Sequence, residues 1–224
     1  MGTTFASLIN AGYPVFGIDD LAADALKKLL ERGLSSAPVV EDGRYVTMAM
    51  LPALVAGKKG KVSLGAMHLD SVPAFGQDEQ LIEKLQLLDV VDGSVLPVVD
   101  EDGLYAGVVL KRDVLKVISD LYHSGEGSSS IEIEVPPPGA KLSEVIATIE
   151  KNDASIVSLG SRPAVGASGE GQMLYFRVVT HDFYRLVRNL ENYGYIIRYH
   201  SPFPNGGYDE LREKALEFIR YMDM

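Results

Sequence analysis

The chain has 224 residues, 31 acidic against 21 basic, and a net charge of −10. That balance argues against a dedicated nucleic-acid binder, which needs a basic face to neutralise phosphates. There is no cysteine, so disulfides, thiolate nucleophiles and cysteine zinc sites are excluded, and the four histidines (His68, His123, His181, His200) are scattered. Apolar residues make up 46% of the chain, enough for a globular core. No stretch reaches the length of an apolar membrane span, and Met1–Asn10 has no basic, apolar leader pattern. A cytoplasmic protein without membrane or nucleic-acid partners is the expectation.

The N-terminal half repeats itself. Pro14-Val15-Phe16-Gly17 returns as Pro73-Ala74-Phe75-Gly76, and Pro38-Val39-Val40 as Pro97-Val98-Val99; Asp42-Gly43-Arg44-Tyr45 returns as Asp102-Gly103-Leu104-Tyr105. One spacing with a single inserted residue marks a duplicated small domain, about 1–61 and 62–123. In each copy an extended piece (Tyr13–Phe16 or Val72–Phe75) leads to an acidic helix start, Asp19-Asp20 or Asp78-Glu79. Leu21, Ala25, Leu26, Leu29 and Leu30 give the first helix a buried stripe; Leu81, Ile82, Leu85 and Leu88 give the second one. Gly33 and Gly93 end these helices. Strands Ala37–Val40 and Leu96–Val99 follow, then Asp-Gly turns, then strands Arg44–Met50 and Tyr105–Leu110. The second copy closes on a helix from near Asp113, the first on a shorter one, Leu51–Ala56.

These residues resemble the CBS domain, which occurs as a tandem pair. The family pattern combines a Pro-Val-Val strand, an Asp-Gly hairpin and a strand ending Gly-x-x-Thr-x-x-Asp. The second copy gives Gly107-Val108-Val109-Leu110-Lys111-Arg112-Asp113, with Leu110 in the Thr position; the first has Thr47, Met50 and Ala53 at the corresponding places. The resemblance implies an adenine-bearing ligand (AMP, ATP, NAD or S-adenosylmethionine) in the cleft between the modules. It implies Asp113 on the ribose hydroxyls, Ala37, Pro38, Pro97, Val98 and Leu110 around the base, and Lys111 and Arg112 near phosphate. One site is expected, not two equivalent ones. The basic run Lys58-Lys59-Gly60-Lys61 reads as a soluble linker between the copies.

Ser124–Ser130, all serine and glycine but for Glu126, reads as a flexible linker. Ile131–Val135 then alternates as a half-buried strand, Pro136-Pro137-Pro138-Gly139 stops it, and Leu142, Val145, Ile146 and Ile149 mark a helix. Ser155–Leu159 is a strand, Ser161–Gly171 a hairpin loop and Met173–Val179 a strand. A helix capped by Thr180 follows, lined by Phe183, Leu186, Val187 and Leu190, and then a last strand, Tyr195–Tyr199. The order over 131–204 is βαββαβ, the ferredoxin-like arrangement. A helix with an apolar face is expected within 205–224.

Following a CBS pair, this domain resembles an ACT domain, and the whole layout resembles the acetoin-utilisation-protein-B-like CBS-ACT proteins of bacteria. That resemblance implies an α/β (α+β) chain of three modules. It also implies an amino acid or other small ligand at the loop Pro138, Gly139, Ala140 and Lys141, and homodimerisation. No catalytic constellation, metal site or required cofactor is read from the sequence. The expected function is regulatory: a non-enzymatic sensor of a small-molecule effector, an adenine nucleotide in the first half and an amino acid or small ligand in the second. The alternative is an assembly or adaptor protein with degenerate pockets and a protein partner.

Overall fold

The computed structural model describes residues 3–57, 61–88, 91–125, 127–135, 141–166 and 169–203. The loop residues Pro138, Gly139 and Ala140, most of the Lys58–Lys61 run, and the expected C-terminal helix lie outside the described residues. The chain forms two compact units, Met1–Val117 and Ile118–Met224.

The first unit is two copies of one module. In the first, β1 (Phe16–Gly17) pairs in parallel with β2 (Ser36–Glu41), which pairs antiparallel with β3 (Arg44–Met50); α1 (Ala22–Glu31) joins β1 to β2, and α2 (Leu51–Gly57) follows β3. In the second, β4 (Phe75–Gly76), β5 (Val95–Val99) and β6 (Tyr105–Leu110) repeat the order, and α3 (Lys111–Leu121) follows. The copies share register: Phe16 faces Val39 as Phe75 faces Val98, and both antiparallel pairs bulge, between Val39 and Val40 and between Val98 and Val99. The single inserted residue of the repeat lies just beyond the bulge, in the hairpin turn, where Asp100-Glu101 precede Asp102-Gly103 and Glu41 alone precedes Asp42-Gly43.

Two helix expectations are corrected. Asp20 and Glu79 do not cap helices; each carboxylate reaches back to a glycine amide, Gly17 N at 3.1 Å and Gly76 N at 3.0 Å. They fix the turn after the two-residue strand, and α1 starts one residue later with Leu21 at its N-cap. The second copy's first helix is a 3-10 helix, Ile82–Leu88, with no fully buried residue; Leu81, just before it, is the buried anchor. Ile82 and Leu87 face outward, so the apolar spacing there does not form one inward stripe.

The modules exchange their leading segments. Leu64 N and Gly65 N donate to Asp20 O and Ile18 O, and Ala22 N donates to Val62 O. The N-terminal segment does the same to the second module: Phe5 N to Glu79 O, Ala6 N to Gln77 O, and Leu81 N to Thr3 O. Phe5 stacks on Phe75 at 4.9 Å. The core runs through both modules, with Phe16, Leu29, Val39, Met48, Leu54 and Leu64 packed with Val95 and Val108. Neither small module buries a sufficient core alone, which is why the pair folds as one body.

The second unit is a four-stranded antiparallel sheet in the order β10-β7-β9-β8, with α4 (Leu142–Glu150) and α5 (Phe183–Asn192). β7 spans Ser129–Val135, β8 Ala154–Gly166, β9 Gly169–Thr180 and β10 Ile196–His200. This is the ferredoxin-like order. Ile131, Ile133, Leu174, Phe176 and Val178 on the sheet pack with Val145, Ile149, Leu186 and Leu190 on the helices. Two more expectations are corrected. The glycine-containing stretch 161–171 is not a loop but the continuation of a long hairpin, paired from Ala154–Thr180 out to Gly166–Gly169. The cap of α5 is Asp182, whose Oδ1 accepts from Arg185 N at 2.9 Å, while Thr180 Oγ1 accepts from Asp182 N one turn earlier.

Candidate nucleotide site

The motif Gly107 to Asp113 runs off the end of β6 into the first turn of α3. Gly107 has φ 147°, and a Cβ there would stand 2.6 Å from Ile9 Cγ2 and 3.1 Å from Asn10 O. The N-terminal segment lies directly on this residue, held by Asn10 N to Val108 O at 2.7 Å. The glycine is therefore required by the close approach of another backbone. In the first module Thr47 takes its place, and its hydroxyl donates to Asp70 O at 2.5 Å.

Leu110 pairs with Val95, and Lys111 N donates to Ser94 O at 2.9 Å, which ties the start of α3 to the Gly93-Ser94 turn. Asp113 is 39% exposed, and its described side-chain partner is Arg112 Nε at 3.8 Å; Arg112 itself is 81% exposed. The carboxylate accepts no hydrogen bond from a described residue, so its lone pairs are open to a ligand diol. The two basic neighbours differ. Arg112 projects to solvent, whereas Lys111 turns inward and donates from Nζ to Leu88 O at 2.6 Å and to Val91 O. Those two bonds occupy the ammonium in holding the segment before β5.

The apolar residues expected around a base are all inside. Ala37 and Val98 are fully buried, Pro38 and Pro97 lie in buried stretches of β2 and β5, and Leu110 packs against the core. Beside them sits a polar group that sequence reading passed over. Ser36 is fully buried and its Oγ has no partner among the described residues, while Gly93 abuts it: a Cβ at Gly93 would lie 3.0 Å from that oxygen. The Gly93-Ser94 turn thus touches Ser36 of the first module and the start of α3 in the second. Serine two residues before a Pro-Val-Val run carries no pattern of its own, so nothing in the sequence marked it.

Three tyrosines line the same body. Tyr13 Oη donates to Ser36 O at 2.9 Å and Tyr45 Oη to Val72 O at 2.9 Å, while Tyr105 Oη is buried without a partner among the described residues. Burial, and then the neighbouring Tyr13, push the Tyr105 phenol up to about 12; burial likewise raises Tyr13 and Tyr45. The opposite end of β5 opens on a crevice of about 350 Å³ lined by Asp78, Glu79, Asp100 and Glu101. Its carboxylates give that end a negative potential, which disfavours anions.

In the second unit Lys141 is the N-cap of α4, and its backbone N–H donates to Glu144 Oε2 at 3.4 Å. The rest of the expected loop, Pro138, Gly139 and Ala140, lies outside the described residues. Among the described residues no three His, Asp or Glu side chains group as metal ligands, and no helix is long and apolar enough to cross a membrane.

Comparison with known proteins bears on the first unit. No curated protein matches the chain. Among solved structures it is similar to a CBS domain pair/ACT domain protein from Thermotoga maritima (15% identity, 53% of this chain and 98% of that one, TM-score 0.49). It is similar to CBSX2, from Arabidopsis thaliana, in complex with AMP (22% identity, 53% and 98%, TM-score 0.47). A third is the cytosolic domain of the Mg2+ channel MgtE in complex with ATP (25% identity, 49% and 46%, TM-score 0.44). The CBS domain family model matches residues 7–46 and 83–120, one stretch in each copy of the repeat. With the shared strand order and register of the two copies, this makes the first unit a tandem pair of CBS domains.

Proposed function

We propose that this protein is a non-catalytic regulator that senses an adenine nucleotide at a single site on its second CBS module. The observation that carries the reading is the pairing of unused polar groups at one end of the paired strands. Asp113 presents an open carboxylate at the start of α3, and Ser36 holds a buried hydroxyl, unpartnered among the described residues, beside the Gly93-Ser94 turn. A carboxylate accepts both hydroxyls of a ribose. The N-terminal end of α3 and the exposed Arg112 favour the phosphate that follows. The first module has Ala53 where Asp113 stands, so it offers no second ribose site. Ala37, Pro38, Pro97, Val98 and Leu110 are the apolar surroundings of the base in this reading, which requires the buried seam to open around it.

The second unit reads as ACT-like and dimer-forming, with a small ligand or amino acid at the loop ending in Lys141; its ferredoxin-like order supports that reading. Binding in the first unit would act by favouring one arrangement of the protein over another. The competing reading, an assembly protein with closed pockets, draws on the inward Lys111 and the buried base-facing residues.

A thermal-shift panel with AMP, ATP, NAD, S-adenosylmethionine and amino acids separates the two. A rise in melting temperature with one adenine ligand, lost in Asp113→Ala, supports the sensor. A flat response across the panel, or a shift that survives Asp113→Ala, overturns the assigned site.

A further inference from the structure

The segment after α3 has the composition of a flexible linker, yet its described residues are pinned on both sides of Glu126. His123 N and Ser124 N donate back to Asp120 O and Ser119 O, each at 3.1 Å, and Ser124 Oγ donates to Ser119 O. His123 turns the chain with φ 47°, in the left-handed region that histidine enters more readily than most residues. Arg177 on β9 reaches this segment. Its Nε donates to His123 O at 3.1 Å, its Nη2 to Gly125 O at 3.0 Å and Ser128 Oγ at 2.6 Å, and its Nη1 to Ser130 Oγ at 2.7 Å.

Arg177 alternates with the core residues Phe176 and Val178, so it stands on the sheet face away from α4 and α5. An arginine there would ordinarily project into water. Here its planar fork is spent on one serine- and glycine-rich segment, a geometry that lysine cannot reproduce. Between that segment and the sheet lies a crevice of about 300 Å³ lined by Ser119, Asp120, His123, Ser128, Val157 and Val179. Tyr122 meets the sheet at Gly160 and Ser129–Ser130 pair with β9, and between these two anchors the four hydrogen bonds of Arg177 bridge to the sheet.

The tie matters because of what precedes it. α3 is one continuous helix from Lys111 to Leu121, with Asp113 in its first turn. Its last turn, from Ile118, already belongs to the second unit. We propose that Arg177 is a positioning residue: it ties the end of α3 to the outer face of the second unit's sheet. A displacement of α3 by a nucleotide at Asp113 is then passed to that sheet instead of being absorbed by the segment between. The tie stands on geometry alone; its stimulus rests on the nucleotide reading above.

The test is hydrogen–deuterium exchange on the full chain, with and without AMP, in wild type, Arg177→Lys and Arg177→Ala. Without ligand, both variants are expected to exchange at least tenfold faster over 123–130 than wild type. With saturating AMP, wild type is expected to change exchange in β9 and β7, and Arg177→Ala to lose that change while its AMP affinity stays within twofold. Should Arg177→Ala not fold, Ser128→Ala combined with Ser130→Ala removes two of the four acceptors and leaves the core intact. Equal exchange over 123–130 in wild type and variants overturns the tie. A β9 response to AMP that persists in Arg177→Ala overturns the transmission. Absence of AMP binding to wild type overturns the nucleotide reading and the transmission with it, while the ligand-free comparison still decides the tie.

Discussion

Gly107→Ala is the substitution whose cost can be worked most fully from the structure. The new methyl would sit 2.6 Å from Ile9 Cγ2 and 3.1 Å from Asn10 O. Ile9 is at the tip of a side chain, but Asn10 is backbone, held at both ends by Val108: Asn10 N to Val108 O at 2.7 Å and Val108 N to Asn10 O at 3.3 Å. The segment cannot retreat without weakening these bonds. Overpacking of this kind costs about 1–3 kcal/mol. The φ of 147° adds a backbone cost of roughly 1–2 kcal/mol for any residue with a Cβ. The sum is about 2–5 kcal/mol of the first unit's stability. Two controls separate the terms. Gly33 has φ 63° with open space around it, so Gly33→Ala should show only the backbone cost, about 1 kcal/mol. Gly17 has neither a positive φ nor a neighbour, so Gly17→Ala should stay within about 0.5 kcal/mol. Native-state exchange at the amides of β5 and β6 reads the opening free energy of the first unit within the full chain. If Gly107→Ala matches Gly17→Ala, the N-terminal segment does not lie on β6, and the exchange of leading segments between modules is wrong.

Two tyrosines should respond oppositely to loss of the hydroxyl. Tyr105→Phe removes a buried group that has no partner among the described residues and is expected to be neutral or to stabilise by up to about 1 kcal/mol, whereas Tyr45→Phe strands Val72 O and costs about 1 kcal/mol; urea unfolding followed by circular dichroism tells them apart. The raised phenols also set an alkaline limit. Folding keeps Tyr13, Tyr45 and Tyr105 protonated, so their contribution is full below pH about 10 and is lost as pH rises from there through the folded value, about 12 for Tyr105. Of the 11 tyrosines, these three should ionise only with unfolding when tyrosinate absorbance is followed against pH; a single transition near pH 10 for all would contradict their burial. In the second unit, Asp182→Ala removes the cap on Arg185 N and is expected to cost about 1 kcal/mol in thermal unfolding, while Thr180→Ala costs less.

The repeat was legible in the sequence down to its inserted residue, because strand registers and Asp-Gly turns leave residue-level traces. The second unit was legible for the same reason: β7 alternates cleanly and α5 carries a full apolar stripe. What escaped were features whose cause lies far along the chain. The carboxylates of Asp20 and Glu79 look like helix caps, and only the turn geometry shows that they serve Gly17 and Gly76. The stretch 161–171 looks like a loop because glycine is common in loops, yet β8 and β9 pair through most of it. Of the candidate site, Asp113 and Arg112 lie at the exposed start of α3, 3.8 Å from each other, but Lys111 finds carbonyls twenty or more residues away. Ser36 and Arg177 had no local signal, since a buried hydroxyl and an outward arginine are defined by what surrounds them.

Isothermal titration of AMP into wild type and Asp113→Asn tests the central claim most directly. Asn keeps the shape of the side chain and removes the charge that favours a diol. Wild type is expected to bind one AMP per chain, and Asp113→Asn to bind it at least tenfold more weakly, equivalent to about 1.4 kcal/mol. Two equivalent sites per chain, or equal binding by both proteins, would contradict it.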